Sequence, residues 1–303
     1  IFVAGIASIA TRGMSWGVDF SGGRTYVVRF DNDVQVDDIR GELFKNMGET
    51  PDVKTFGSNN QVKITTKYMV DDNSENADSL VEAKIFESLK GFFNTSMTFK
   101  DFTSDDPDKV LGRLSSQKVG PTIADDIKQS SVYALILALI VIFAYIAIRF
   151  KNWQFGMGGV VALFHDAMFA IFMFSWFHGI LPFTLDVDQT FIAALLTIIG
   201  YSINDTVVIF DRIREYGVLY PTRDNRTNIN DAVNSTIGRT INTAGSVIIV
   251  LLAIFILGGE IIRGFSFAML VGTISGTYST LFIATPLAYD MLKRKEAKKK
   301  LKA

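Results

Sequence analysis

The sequence contains no cysteine and only two histidines, His165 and His178. The lack of cysteine excludes disulfide bonds, thiolate metal sites and cysteine nucleophiles, although it does not decide the cellular compartment. Two histidines leave little for a histidine-built metal centre, and the His-Glu-x-x-His pattern of zinc metalloproteases does not occur. We therefore expect a protein that works without a metal or another bound cofactor.

The composition suits neither a fully soluble protein nor a fully apolar one. The 303 residues are 49% hydrophobic and 20% charged, and the mean hydropathy is +0.27. The net charge of −1 conceals a segregation, because residues 31–110 are rich in Asp and Glu whereas residues 293–303 carry seven Lys or Arg. This mixture predicts a membrane protein with an appended polar domain and a basic tail.

Five apolar segments are long enough for the roughly 20 residues that a bilayer crossing needs. They are Ser131–Ile148, Phe155–Phe177, Gln189–Phe210, Thr240–Leu257 and Phe265–Met291. Residues 1–12 begin with a shorter apolar run and without Met, and we interpret them as the end of a truncated first transmembrane helix. The alternative is a signal-peptide remnant, but the basic flank and the cleavage pattern of such a segment are missing.

The positions of Lys and Arg indicate how the predicted spans are oriented. The loops at 149–154 and 211–239 and the C-terminal tail hold nearly all of the cations near the spans. The loops at 178–188 and 258–264 hold only Arg263. By the positive-inside rule, the basic loops and the tail are cytoplasmic. The polar domain then faces the periplasm or the cell exterior, and the tail is suited to anionic lipid headgroups.

Residues 13–118 show the alternating patterns of a small α+β domain. Its predicted elements follow in the order β-α-β-β-α-β, which is that of a ferredoxin-like fold. In chain order they are residues 24–30, 37–47, 53–56, 61–66, 79–93 and 97–103. We interpret the acidic residues of this domain as a solvated face rather than as a metal site.

The third predicted span contains a charged residue. Ser202, Asn204 and Asp205 lie inside its apolar run, and an ionised Asp at such depth costs roughly 3 kcal/mol to insert. An Asp that persists there usually faces protein or a water-filled path. Asp205 is therefore either part of a proton or ion relay, or a helix cap or buried hydrogen-bond partner.

Four motifs resemble those of one membrane-protein family. Residues 200–215 (GYSINDTVVIFDRIRE) resemble the signature of the SecF family, the smaller half of the bacterial SecDF protein-export complex, which belongs to the resistance–nodulation–division (RND) superfamily. Residues 17–23 (GVDFSGG), 119–122 (VGPT) and 239–243 (RTINT) resemble further motifs of that family, in the family's order. The resemblance implies a six-helix bundle with a periplasmic domain, in which residues 119–292 supply five helices.

The resemblance also implies roles for two residues. In the family, the Asp of the Asn-Asp-Thr motif and the Arg that opens the next helix are implicated in proton passage, and Asp205 and Arg239 match these positions. From Arg239, Thr243 and Ser246 follow at i+4 and i+7, a polar stripe suited either to line a path from Asp205 or to pair with its carboxylate. Ser202 and Asn204 are further candidates to support such a path.

Asp166, preceded by His165, is a second acidic residue inside a predicted span. It is either a relay station or a structural hydrogen-bonding partner to a neighbouring helix. An intramembrane aspartyl protease built on Asp166 and Asp205 is disfavoured, because neither residue lies in the Gly-x-Gly-Asp motif of such enzymes. We therefore expect no enzymatic activity.

The function that the resemblance implies is that of an accessory subunit of the Sec translocase in the bacterial inner membrane. Such a subunit couples the proton motive force to late steps of preprotein export. Its partners would be SecD, as a separate chain or as a half of the same chain, the SecYEG translocon, membrane lipids and preproteins, with YajC and YidC as further candidates and no nucleic acid. The alternatives are a fragment of an RND-superfamily small-molecule exporter and a purely structural translocon partner.

Overall fold

A computed structural model describes residues 1–72, 74, 76–106 and 108–300, the last five of them by their backbone alone. The chain forms two compact units. The helical bundle comprises Ile1–Met14, Ser131–Trp176 and the chain from Thr190 onward, and the α/β unit comprises Ser15–Ser130 and Phe177–Gln189. Residues 301–303 of the predicted basic tail lie outside the described residues.

The helices and strands are numbered in chain order. The helices are α1 (Phe2–Arg12), α2 (Val18–Ser21), α3 (Val36–Met47), α4 (Ala77–Leu89), α5 (Phe99–Thr103), α6 (Pro121–Phe150), α7 (Trp153–Phe177), α8 (Gln189–Leu219), α9 (Asn225–Leu257), α10 (Glu260–Ser279) and α11 (Thr285–Lys300). The strands are β1 (Ser15–Trp16), β2 (Gly23–Arg29), β3 (Asp52–Phe56), β4 (Ser58–Thr66), β5 (Gly112–Val119) and β6 (Asp186–Val187). A 3₁₀ turn follows α4, and a π-helical turn, Thr280–Ala284, joins α10 to α11.

The α/β unit is built on a four-stranded antiparallel sheet in the order β3-β4-β2-β5. Tyr26, Val28 and Phe30 alternate along β2 and its end, and all three are buried, because side chains two apart share one face of a strand. Helices α3 and α4 cover this face, with Leu43 and Ile85 among the fully buried residues of the common core. The predicted strand and its core-facing side chains are thereby confirmed, although both faces of β2 are buried from Gly23 to Val28.

The last strand of this sheet does not lie where the sequence pattern places it. Residues 97–103, predicted as a strand, contain α5, whose start is fixed by a capping box between Thr98 and Asp101. The Asp101 backbone N–H donates to Thr98 Oγ1 at 3.2 Å, and the Thr98 N–H donates to the Asp101 carboxylate at 3.1 Å. Because the cap satisfies backbone groups that a helix start leaves free, this stretch is helical and β5 closes the sheet instead.

The segment 178–188, expected to be a loop between two spans, joins the α/β unit. Its strand β6 pairs in parallel with β1, so that Ser15 lies opposite Asp186 and Trp16 opposite Val187. Strands of two residues are too short to produce an alternating pattern. The domain predicted at residues 13–118 therefore also contains a later piece of the chain.

Five helices in the described part of the chain are long and apolar enough to cross a membrane: α6, α7, α8, α9 and the continuous run Glu260–Lys295. α7, α8 and α10 bury much of their apolar surface within the bundle, whereas α6 and α9 are mostly exposed. The short helix α1 packs against α7, with Ser8 Oγ 2.9 Å from Ser175 Oγ and Gly5 against the ring of Phe172.

The interval 211–239, expected to be a loop, is mostly helical. α8 continues to Leu219 and α9 begins at Asn225. Charged side chains along this extension pair at helical spacing, as Arg212 and Glu215 do at 2.7 Å, which stabilises a helix outside the apolar run. The two helices thus extend well beyond the apolar segments that predicted them.

Candidate functional site

Small residues let three helices of the bundle approach closely. A Cβ at Gly272 of α10 would lie 2.2 Å from Ile198 of α8, and one at Gly276 would lie 2.9 Å from the Cβ of Ser202. A Cβ at Gly158 of α7 would lie 2.7 Å from the carbonyl oxygen of Ala284. Glycines spaced four apart are typical of tightly packed membrane helices. Their effect here is to bring polar side chains of α7, α8 and α10 together.

Asp166 of α7 lies at the centre of this contact and is fully buried. Ser202 of α8 and Ser279 of α10 donate to its Oδ2 at 2.8 and 2.7 Å. Ser275 of α10 donates to Oδ1 at 2.7 Å, and Nδ1 of His165 lies 3.2 Å from the same oxygen. Because a carboxylate offers about four lone-pair positions, those of Asp166 are filled. The side chain therefore fastens α7 to α8 and α10.

A second polar contact lies one helical turn along α8. Thr206 Oγ1 is 2.8 Å from Thr280 Oγ1 on the neighbouring helix, and both residues are fully buried. Thr280 is the first residue of the π-helical turn, and its carbonyl oxygen accepts a hydrogen bond from Thr285 Oγ1 at 2.9 Å. Turns of this kind occur frequently at functional sites.

Asp205 follows Ser202 by three residues on α8 and is 3% exposed. Its Oδ1 is buried without a hydrogen-bond partner among the described residues. The positive guanidinium of Arg239 on α9 attracts this carboxylate electrostatically, although the two form no ion pair among the described residues. A buried carboxylate with an unpaired oxygen is costly when ionised and much less costly when protonated. This geometry is suited to a group that gains and loses a proton.

None of the other predicted site residues forms a hydrogen bond or ion pair with Asp205 in the described part of the chain. Asn204 and Arg239 are exposed. Thr243 Oγ1 donates to the carbonyl oxygen of Arg239 at 2.9 Å, and Ser246 Oγ donates one turn back along α9 at 2.8 Å. These hydroxyls bond to their own helix, while Ser202 bonds to Asp166. The proton relay through Asp205 and Arg239 stays a prediction.

Sequence reasoning missed Ser275 and Ser279, which supply two of the hydrogen bonds to Asp166. The sequence does indicate that Ser275 and Ser279 share one face of a helix, because they are four residues apart, and that this face lies beside Gly272 and Gly276. The identity of the helix that this face meets depends on packing and cannot be read from spacing.

Comparisons with known proteins agree with this architecture. Residues 100–294 match the family described as protein export membrane protein SecD/SecF, C-terminal, and residues 7–34 match the SecD/SecF GG motif. The protein translocase subunit SecF of Rhodothermus marinus is 40% identical over 301 residues, which cover 99% of this chain and 91% of that protein. The chain belongs to the SecF family.

A second SecF-family relative, the protein translocase subunit SecF of Haemophilus influenzae, is 33% identical over 98% of this chain and 82% of that protein. The crystal structure of SecDF, a translocon-associated membrane protein from Thermus thermophilus, is similar with a TM-score of 0.78 at 27% identity. That match covers 96% of this chain and 36% of the SecDF chain. The SecF-family chain thus spans little more than a third of the SecDF chain, and the family predicted from the motifs is confirmed.

Proposed function

We propose that this SecF-family chain is an accessory subunit of a protein translocase, and that it couples the proton motive force to late steps of preprotein export together with a SecD partner. Similarity to translocase subunits along nearly the whole chain supports the translocase role. The environment of Asp205 supports the proton role, since its carboxylate is almost fully buried with one oxygen unpaired.

The coupling step that we propose is protonation of Asp205. When the carboxylate is ionised, the positive charge of Arg239 stabilises it and draws α8 and α9 together. When a proton neutralises it, that attraction is lost and a different packing of the two helices becomes favourable. Each charge that crosses the membrane supplies about 2.3 kcal/mol per 100 mV, which is enough to shift such an equilibrium.

For Asp166 we propose a structural role. Three serine hydroxyls and one histidine already occupy its oxygens. This arrangement also argues against an aspartyl protease, in which two carboxylates must share a catalytic proton. The proposed function is accordingly not enzymatic, and its energy source is the proton gradient rather than a bound cofactor.

The proposed topology is that of a multi-pass protein of the bacterial inner membrane, with α1 as a sixth helix of the bundle. The basic tail and the basic stretch between α8 and α9 support a cytoplasmic location for that end of the bundle. The sheet order β3-β4-β2-β5, with α3 and α4 on one face, supports a ferredoxin-like α/β unit outside the cytoplasm. SecYEG, YajC, YidC, anionic lipids and preproteins are the proposed partners beyond SecD.

The test is export of a preprotein into inverted membrane vesicles that contain the chain with its SecD partner. Asp205→Asn keeps the shape and hydrogen-bonding capacity of the side chain but cannot ionise. We expect this variant to lose the part of export that depends on the proton gradient, at unchanged abundance. The matched control is Asp231→Asn, the same chemical change at an Asp that pairs with Arg223 and is 42% exposed. Unchanged gradient dependence in Asp205→Asn would leave a purely structural role.

A further inference from the structure

The segment Phe177–Gln189 joins the two helices that carry Asp166 and Asp205, yet it belongs to the α/β unit. Its Asp186 has a side chain only 8% exposed. Ser15 Oγ donates to Asp186 Oδ1 at 2.6 Å, and Lys54 Nζ lies 3.0 Å from the same oxygen. Lys63 Nζ lies 2.8 Å from Oδ2. Both oxygens of this carboxylate are thus bound by cations on the sheet.

A second set of contacts holds the end of the segment. Asp19 Oδ2 accepts a hydrogen bond at 3.0 Å from the backbone N–H of Gln189, the first residue of α8. Its Oδ1 accepts from Gln117 on β5 at 3.1 Å. The backbone N–H of Gly17 donates to the carbonyl oxygen of Val187 at 2.9 Å. Residues 17–23, which lie within the GG-motif match at residues 7–34, therefore hold the start of the helix that carries Asp205.

The charges of this cluster keep it paired at neutral pH. Burial raises the pKa of Asp186, but Lys63 and Lys54 outweigh that effect and hold the pKa well below its usual range. Asp52 lies 2.8 Å from Lys54 and adds to the charge balance. A carboxylate with a lowered folded-state pKa stabilises the fold above about pH 4 and loses that contribution only as the pH falls further. Asp186 is thus a constant ionic contact, not a pH switch.

We propose that these contacts form an anchor that passes movement of α8 to the α/β unit, with Asp186 and Asp19 as positioning residues. The inference rests on the proposed proton coupling at Asp205. Gln189 precedes Asp205 by 16 residues of one continuous helix, or about 24 Å at 1.5 Å per residue. A helix transmits a displacement over that length, whereas an unanchored loop at its start would absorb it.

The first experiment compares Asp186→Asn with Asp78→Asn in vesicles that contain the full chain and its SecD partner. Asp78→Asn removes an ion pair with the buried Arg24 in the same unit without touching the segment. We expect Asp186→Asn, and not Asp78→Asn, to lose the gradient-dependent part of export. The pH profile of carbodiimide labelling at Asp205, assigned by mass spectrometry, should stay that of the wild type. Full gradient-dependent export or a changed labelling profile in Asp186→Asn overturns the anchor.

An introduced disulfide can test whether the anchor can be restored. The chain has no cysteine of its own, so an introduced pair has no other cysteine of this chain to react with. Trp16→Cys and Val187→Cys lie opposite each other in the β1–β6 pair. In the Asp186→Asn background, oxidation of this pair should restore gradient-dependent export, and reduction should abolish it again. The oxidised and reduced samples contain the same amount of protein. Equal export in these two samples therefore overturns the proposal even if Asp186→Asn folds poorly. Failure of the proposed function is separate, since it would appear as intact gradient dependence in Asp205→Asn.

Discussion

Asp166 and Asp205 are buried in the same bundle, but their carboxylates differ in the hydrogen bonds that they accept from the protein. Asp166 has three hydroxyls and a histidine nitrogen on its oxygens, whereas Oδ1 of Asp205 has no hydrogen-bond partner among the described residues. A buried charge costs several kcal/mol unless hydrogen bonds or an opposite charge compensate it. Hydrogen bonds compensate the carboxylate of Asp166, whereas that of Asp205 has the charge of Arg239 and one oxygen without a hydrogen-bond partner among the described residues.

This difference in hydrogen bonding follows from the side chains that surround each carboxylate, because both residues are almost fully buried. Asp166 faces a surface of α10 on which Gly272 and Gly276 permit close approach and Ser275 and Ser279 supply donors. Asp205, one turn further along α8 than Ser202, feels the positive charge of Arg239, and its Oδ1 has no hydrogen-bond partner among the described residues. Two acids of the same type, both predicted from their apolar surroundings, therefore have different hydrogen-bonding environments, which is why we propose different roles for them.

The largest expected effect is on stability, from truncating the two acids in parallel. Asp166→Ala removes four side-chain hydrogen bonds. At roughly 0.6 kcal/mol each in a membrane protein, their loss should destabilise the bundle by about 2 kcal/mol. Asp205→Ala removes a carboxylate of which one oxygen has no hydrogen-bond partner among the described residues, and should cost less than about 1 kcal/mol. The measurement is the free energy of unfolding in detergent or bicelles.

The two alanine variants are their own control, since each removes the same atoms from a buried site. Equal destabilisation would show that Asp205 is as firmly bonded as Asp166, and the contrast between them would be wrong. Gradient-dependent export should show the reverse order, with the greater loss in Asp205→Ala when abundance is matched.

The next effect concerns the close approach that lets Ser202 reach Asp166. Gly276→Ala would place a Cβ 2.9 Å from Ser202 Cβ, and overpacking of this kind costs typically about 1–3 kcal/mol. Gly245→Ala is the matched control, because nothing lies within 4 Å of the added Cβ. It should be neutral or more stable by up to about 1 kcal/mol, as alanine favours a helix. Comparable unfolding midpoints for the two variants would contradict the packing argument.

Much of this architecture is predictable from the sequence because its signals are local. The apolar runs predict the five long helices, the alternation at Tyr26, Val28 and Phe30 predicts the buried face of the sheet, and a motif of sixteen residues places Asp205 on α8. Each of these signals is contained in a short stretch of chain. The capping box at Thr98 is equally local, and it outweighs the short pattern of residues 97–103 that predicts a strand.

The features that sequence reasoning missed depend on contacts between distant parts of the chain. The sequence predicts a loop around Asp186, but this residue contacts Lys54 and Lys63 more than a hundred residues away in the sequence. The two-residue strand around it gives no periodic signal. Likewise, the rotation of α10 that turns Ser275 toward Asp166 is set by packing. Spacing shows which residues share a face but not what that face meets.

The smallest expected effect tests whether the hydrogen bonds of the bundle extend to Asp205. Thr206→Val preserves the shape of the side chain next to Asp205 and removes the bond to Thr280 at 2.8 Å, worth about 0.6 kcal/mol by comparison with similar bonds. A double-mutant cycle with Thr280→Val isolates that pair. Because no hydrogen bond joins the carboxylate of Asp205 to this pair among the described residues, the pH profile of carbodiimide labelling at Asp205 should not change. A shifted profile would mean that the two polar contacts of α8 act as one network, and the separation between a structural and a proton-responsive acid would no longer hold.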